Sequence, residues 1–147
     1  MRYLMAVAAI LCASPAWADE VTVDSAWARA TVPGQDTGAV FLNIISQRDA
    51  RIIAVASPVA DSAEIHSMAH DNGMMKMREV PSLPLPAGQK VILGSGGYHL
   101  MLLGLKRPLA TGESIPLTFT VQFSDKRKET IRVAAIVKSL TTFNDSH

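Results

Sequence analysis

Residues 66–77 read HSMAHDNGMMKM, two histidines and four methionines in twelve positions. Imidazole binds several metals, but thioethers gathered around it favour a soft ion, and copper(I) is the soft biological choice. Thioethers also carry no proton and form no disulfides. Calcium and magnesium seek oxygen ligands. Zinc takes thiolate, imidazole or carboxylate, so paired methionines argue against it.

These residues can act together only if the backbone aligns them. Asn72-Gly73 predicts a two-residue hairpin turn, because a type I′ turn needs positive φ at both central positions. With that turn Met77 lies opposite Met68, His66 lies opposite Glu79, and His66 and Met77 are diagonal neighbours on one face. A turn centred on Asp71-Asn72 places His66 and Met77 directly opposite each other. A simple three-residue loop puts them on opposite faces, so the grouping depends on the turn. Further on, YHLMLL places His99 and Met101 two residues apart, on one face of a strand. If that strand lies beside the hairpin, two histidines and two methionines converge. Spacing alone does not choose among the methionines.

The rest of the chain reads as strands. Short apolar, β-branched runs recur as VTVDSAWARAT, GAVFLNIIS, RIIAVAS, AEIHSMAH, MMKMREV, KVILG, YHLMLLGL, IPLTFTVQF and ETIRVAAIVK. Pro33-Gly34, Asp49, Ser57-Pro58, Asn72-Gly73, Gly94 to Gly97 and Thr111-Gly112 punctuate them. PLTFTVQF alternates polar and apolar residues, as a strand with one buried face should. About nine strands at this spacing predict an all-β, two-sheet antiparallel sandwich. PSLPLPAGQ, residues 81–89, reads as an extended connection between sheets.

The first eighteen residues, MRYLMAVAAILCASPAWA, have the pattern of a secretory signal peptide. Arg2 is the charged start, Leu4 to Ala13 the apolar stretch, and Ala16-Trp17-Ala18 the cleavage site. Cleavage after Ala18 leaves residues 19–147 as a single domain with no stable membrane insertion. Ile10-Leu11 lacks the small residues that normally precede a lipidated cysteine, so Cys12 is not read as a lipid anchor. Arg2 is the only charge before Ala18, so the 14 basic and 13 acidic residues of the chain become evenly matched. That balance offers nothing to nucleic acid or to an anionic membrane surface. Cys12, the only cysteine, is also removed. Disulfides, thiolate catalysis and zinc–thiolate sites are thereby excluded, as is blue-copper electron transfer, which needs a cysteine ligand.

Each feature has a plainer reading. Methionine is an ordinary filler of apolar cores, and one of Met74 and Met75 is expected to pack inward. Met68 and His70 read as neighbours of the site. Trp27 reads as a core anchor, and SDKRKE, residues 124–129, as a solvated hairpin tip. The glycines of GSGG, residues 94–97, lack the lysine and following helix of a phosphate loop and read as a turn that positions His99. No serine sits in a nucleophile elbow, and a chain beginning at Asp19 lacks an N-terminal histidine brace. The expectation is therefore not an enzyme. The metal-free alternative is a secreted β-sandwich interaction module.

The spacing of the candidate ligands is similar to that of the PCu(A)C family of periplasmic copper chaperones. Those proteins carry a histidine, ten residues, a methionine, twenty-one residues, then His-x-Met. Here His66 is followed by ten residues and Met77, then by twenty-one residues and His99-Leu100-Met101. AEIHSMAHDNGMMKMREV resembles the family's ligand hairpin, and AWARATVPGQDTGAVFLNI its opening strands. The likeness covers roughly residues 22–138. It implies a cupredoxin-like β-sandwich holding one copper(I) per chain through His66, Met77, His99 and Met101. It also implies a monomer in the periplasm that supplies the binuclear copper centre of cytochrome c oxidase, or a thioredoxin-like copper chaperone. Some members carry a His- and Met-rich C-terminal extension for copper(II). SLTTFNDSH here holds only His147 and no methionine, so that second site is not expected.

Overall fold

A computed structural model describes residues 20–94 and 97–139, with all their side chains except those of residues 69–71. The expected signal peptide, the middle of GSGG and His147 lie outside the described residues. Among the described residues every regular element is a strand. In chain order they are β1 (Val21–Arg29), β2 (Thr37–Ser46), β3 (Ala50–Ala56), β4 (Ala60–Asp71), β5 (Met74–Glu79), β6 (Leu83–Leu85), β7 (Lys90–Leu93), β8 (Tyr98–Leu105), β9 (Ser114–Phe123) and β10 (Lys128–Lys138).

Alternation builds the core. In β2, Val40, Leu42 and Ile44 point inward. So do Leu100 and Leu102 of β8, and Leu117, Phe119 and Val121 of β9, all essentially excluded from solvent. Each such side chain contributes about 1.5–3 kcal/mol by leaving water. The order of strands is β5-β4-β8-β7-β2-β1-β10-β9-β3-β6, with β8 also pairing with β2. The curled sheet is a cupredoxin-like β-sandwich. β1 joins its two halves, pairing antiparallel with β2 and parallel with β10 through Trp27–Arg29. A bulge between Asp24 and Trp27, with Ser25 at φ 54°, lets β1 serve both sides. Pairing is otherwise antiparallel apart from a single β7–β8 contact.

Among the described residues there are ten strands rather than nine. The extra one is β6, inside the segment expected to be a simple connection. Leu83 and Leu85 are buried, and the strand pairs with β3 at the edge of the sheet. A proline is tolerated at an edge, where its missing N–H breaks no ladder, so Pro84 does not prevent pairing. Trp27 is not a core anchor. It is half-buried on the outer face, stacked on Phe41 with ring centroids 4.4 Å apart. Lys138 lies over the indole and Arg29 over the Phe41 ring.

The β4–β8 pairing is set with little latitude. Gly104 has φ +69°, and a Cβ there would lie 2.5 Å from the Asp61 carboxylate oxygen and 2.9 Å from its Cβ. Gly104→Ala is expected to destabilise the domain by about 1–3 kcal/mol through combined strain and overlap, read as a lower Tm. An unchanged Tm would mean that the strand pair can shift to accommodate a side chain.

Candidate functional site

The site lies on the outer face of the three strands β5, β4 and β8. Asn72 and Gly73 have φ 51° and 78°, the pair of positive values expected for the two-residue turn. The resulting register is the one read from Asn72-Gly73: Met68 lies opposite Met77 and His66 opposite Glu79. On the other side of β4, His66 lies directly opposite His99, and Glu64 directly opposite Met101. Residues opposite one another, and residues two apart on a strand, share a face. His66, Met77, His99 and Met101 therefore all project from one face. Met68 is there too, between Met77 and the histidine pair.

The backbone around the pair is pinned. Met68 N–H donates to Gly97 O at 3.0 Å, and Gly94 N–H donates to Tyr98 O at 2.9 Å, closing the loop that leads into His99. Leu100 and Ile65 are buried beneath the site, so His99 and His66 have no choice of face. β4 continues past this core, and every residue of β5 is exposed. Met74 and Met75 are 65% and 55% exposed. The inward packing expected of one of them is not found: among the described residues β5 pairs with β4 alone, and all its residues are exposed. Met77 is 50% exposed. The described residues do not include the side chain of His70.

Two ring nitrogens stand out. His66 Nδ1 and His99 Nε2 are both buried and have no hydrogen-bond partner. Leaving a buried polar atom unpaired costs about 1–3 kcal/mol, so two on adjacent strands call for an explanation. His66 Nε2 is satisfied, donating to Glu64 Oε2 at 2.7 Å. An ionised carboxylate can only accept, so the proton of neutral His66 sits on Nε2 and Nδ1 keeps its lone pair. The imidazole is thus held by Glu64 with its acceptor nitrogen buried and unpartnered. Among the described residues no three His, Cys, Asp or Glu side chains come close enough to hold a metal. The thioethers of Met68, Met77 and Met101 share the face of the histidine pair, and thioethers favour a soft ion.

Glu64 did not figure in the sequence reading. Its signal was available: it precedes His66 by two residues in AEIHSM and so shares its strand face. A search for soft ligands passes over a carboxylate that acts through a histidine. Partners of this kind orient a ligating imidazole and typically contribute 10–100-fold in metal affinity. Glu64→Ala is expected to weaken metal binding by about that factor and to redistribute the His66 tautomer, visible in its ring 15N shifts. Unchanged shifts and affinity would reduce Glu64 to a surface contact.

Residues 21–135 match the family described as "Putative lipoprotein LpqE-like". The chain belongs to the LpqE-like family. It is also 34% identical to the putative lipoprotein Lxx21020 of Leifsonia xyli subsp. xyli over 131 residues, spanning 88% of this chain and 76% of that protein. Among solved structures, apo-DR1885 from Deinococcus radiodurans is 35% identical with a TM-score of 0.61, covering 86% of this chain and 83% of that one. Its copper(I) form is 34% identical with a TM-score of 0.58, covering 79% and 76% respectively. The apo PCuAC domain from PmoF1 shares the fold at 22% identity, with a TM-score of 0.64 and coverage of 82% and 94%. The LpqE-like chain thus has the PCuAC fold expected from its motif spacing.

Proposed function

We propose that this protein is a copper(I) carrier that binds one ion per chain through His66, Met77, His99 and Met101 and surrenders it to a partner. One observation carries the reading: two buried, unpartnered imidazole nitrogens on adjacent strands, on a face that also carries Met68, Met77 and Met101. The copper(I)-bound structure of the 34% identical DR1885 supports it. Copper is cargo here. The chain supplies neutral imidazole and uncharged thioether ligands that an acceptor with a better ligand set can displace one at a time. Thioethers at an exposed strand edge suit that exchange, because an incoming ligand can reach them.

The acceptor in this reading is the binuclear copper centre of cytochrome c oxidase or a thioredoxin-like copper chaperone, met in the periplasm after cleavage behind Ala18. The lipoprotein descriptions of the relatives are compatible with export. Mass spectrometry of the exported protein distinguishes a chain starting at Asp19 from one lipidated at Cys12. No helix among the described residues is long and apolar enough to cross a membrane.

Anaerobic copper(I) titration against a chromophoric chelator tests the site. One equivalent is expected to bind tightly. Met77 is half exposed, so Met77→Ala is expected to leave the fold intact and weaken binding. Failure of the well-folded wild type to bind copper(I) would leave the metal-free interaction module as the better account.

A further inference from the structure

Three methionines on the site face lie on the side of the histidine pair nearer the hairpin tip. Met68 is directly opposite Met77, and Met75 is two residues from Met77 on the same strand. Directly opposite Cβ atoms are about 4.5–5.5 Å apart and diagonal ones about 7–8 Å. Met68, Met75 and Met77 therefore form a compact triangle. Each thioether has three rotatable bonds, so their sulfurs can converge on a common point. Core packing does not account for Met75 and Met77, which are 55% and 50% exposed on a strand whose every residue is exposed. An exposed methionine in an oxidising compartment is open to sulfoxide formation, so its presence there calls for a reason. The triangle contains neither a carboxylate nor a thiolate, and its chemistry suits only a soft monovalent cation.

We propose that Met68, Met75 and Met77 form a second, outer station for copper(I), or for silver(I) as its analogue. The ion would pass through this station on its way to and from the histidine pair. The inference rests on the copper(I) reading above and adds a separate site to it. Met77 is the shared element. It stands in the triangle and diagonal to His66, so one side chain can hand the ion from the all-thioether set to the mixed set. No electron is transferred: sulfur–metal bonds at Met68 and Met75 break as bonds to imidazole nitrogen form, and the ion remains monovalent. The outer set has no proton to displace, and its half-exposed sulfurs are open to an incoming partner.

The test is a silver(I) titration in chloride-free buffer of the protein labelled with 13C at the methionine methyls. The first equivalent is expected to shift the Met77 and Met101 methyls, and the second to shift those of Met68 and Met75. The Met68→Leu/Met75→Leu variant conserves side-chain volume. It should still bind the first equivalent, lose the second, and give up copper(I) to a chelator about tenfold more slowly, a tenfold change in rate being about 1.4 kcal/mol in the barrier. The proposal is overturned if the Met68 and Met75 methyls stay unmoved through two equivalents, or move together with Met77 and Met101 in a single step. Wild-type release from the variant also overturns it. If no methyl responds in the folded protein, the copper(I) reading itself fails, an outcome distinct from loss of the second step alone.

Discussion

The double substitution His99→Ala/Met101→Ala is expected to abolish tight copper(I) binding at the histidine pair in a protein that still folds. Both side chains lie on the outer face of β8, in contact with none of the inward-facing work of Leu100 and Leu102. Removing them takes away one of the two imidazoles and one thioether together. What remains of that four-residue set, His66 with Met77, is too few ligands for tight binding there. The expected loss exceeds the roughly 10–100-fold that follows removal of an outer partner, and chelator competition reads it directly. Thermal unfolding should be nearly unchanged, or slightly favoured toward the folded state, because the orphaned Nε2 of His99 is removed as well. Full retention of copper(I) by the folded variant would place the site elsewhere.

Leu100→Ala, one residue away, is expected to do the reverse. Leu100 is completely buried and lies between the two candidate ligands in sequence. Truncating it removes apolar contact and leaves a cavity, at a cost of about 2–5 kcal/mol. Marginal domains hold only about 5–15 kcal/mol in total, so the change consumes a large share of stability. Under conditions where the variant remains folded, copper(I) affinity should fall far less than in the double substitution, since no ligand is lost. Denaturant unfolding and copper(I) titration on the same samples test both halves. A Leu100→Ala protein as stable as wild type would mean that β8 is not the core strand described here. The two variants together separate ligand chemistry from packing along a single strand, because adjacent residues face opposite ways.

Much of this was legible locally. The period of two placed His99 with Met101, and the alternation in PLTFTVQF marked its buried face. Asn72-Gly73 announced a turn whose two positive φ values set the register of β4 against β5. These are short-range facts, settled by sterics within a few residues. Misreadings arose where burial decided the outcome. Trp27 was expected inside because it is large and apolar, but its bulged strand turns it outward onto Phe41. PSLPLPAGQ was expected to be unpaired because of its prolines, but two buried leucines made it an edge strand. Met74 and Met75 were expected to share inside and outside, and the tip of β5 has no inside.

By itself, then, the sequence determined which side chains share a strand face, where the hairpin turns, and that the ligands on offer are soft. It did not determine that β8 would lie against β4 with His66 facing His99. That pairing is non-local, and nothing within either segment selects it. The core selects the face: Ile65, Leu100 and Leu102 must all be buried, and a slip by one residue would turn both histidines inward. Gly104 against Asp61 favours the register, because a Cβ at Gly104 would lie 2.9 Å from that of Asp61. Glu64 reaches His66 along its own strand, but only when both conditions are met does His66 lie opposite His99. The site is made by packing on the opposite side of the sheet, which is why only the tertiary structure could bring its two histidines together.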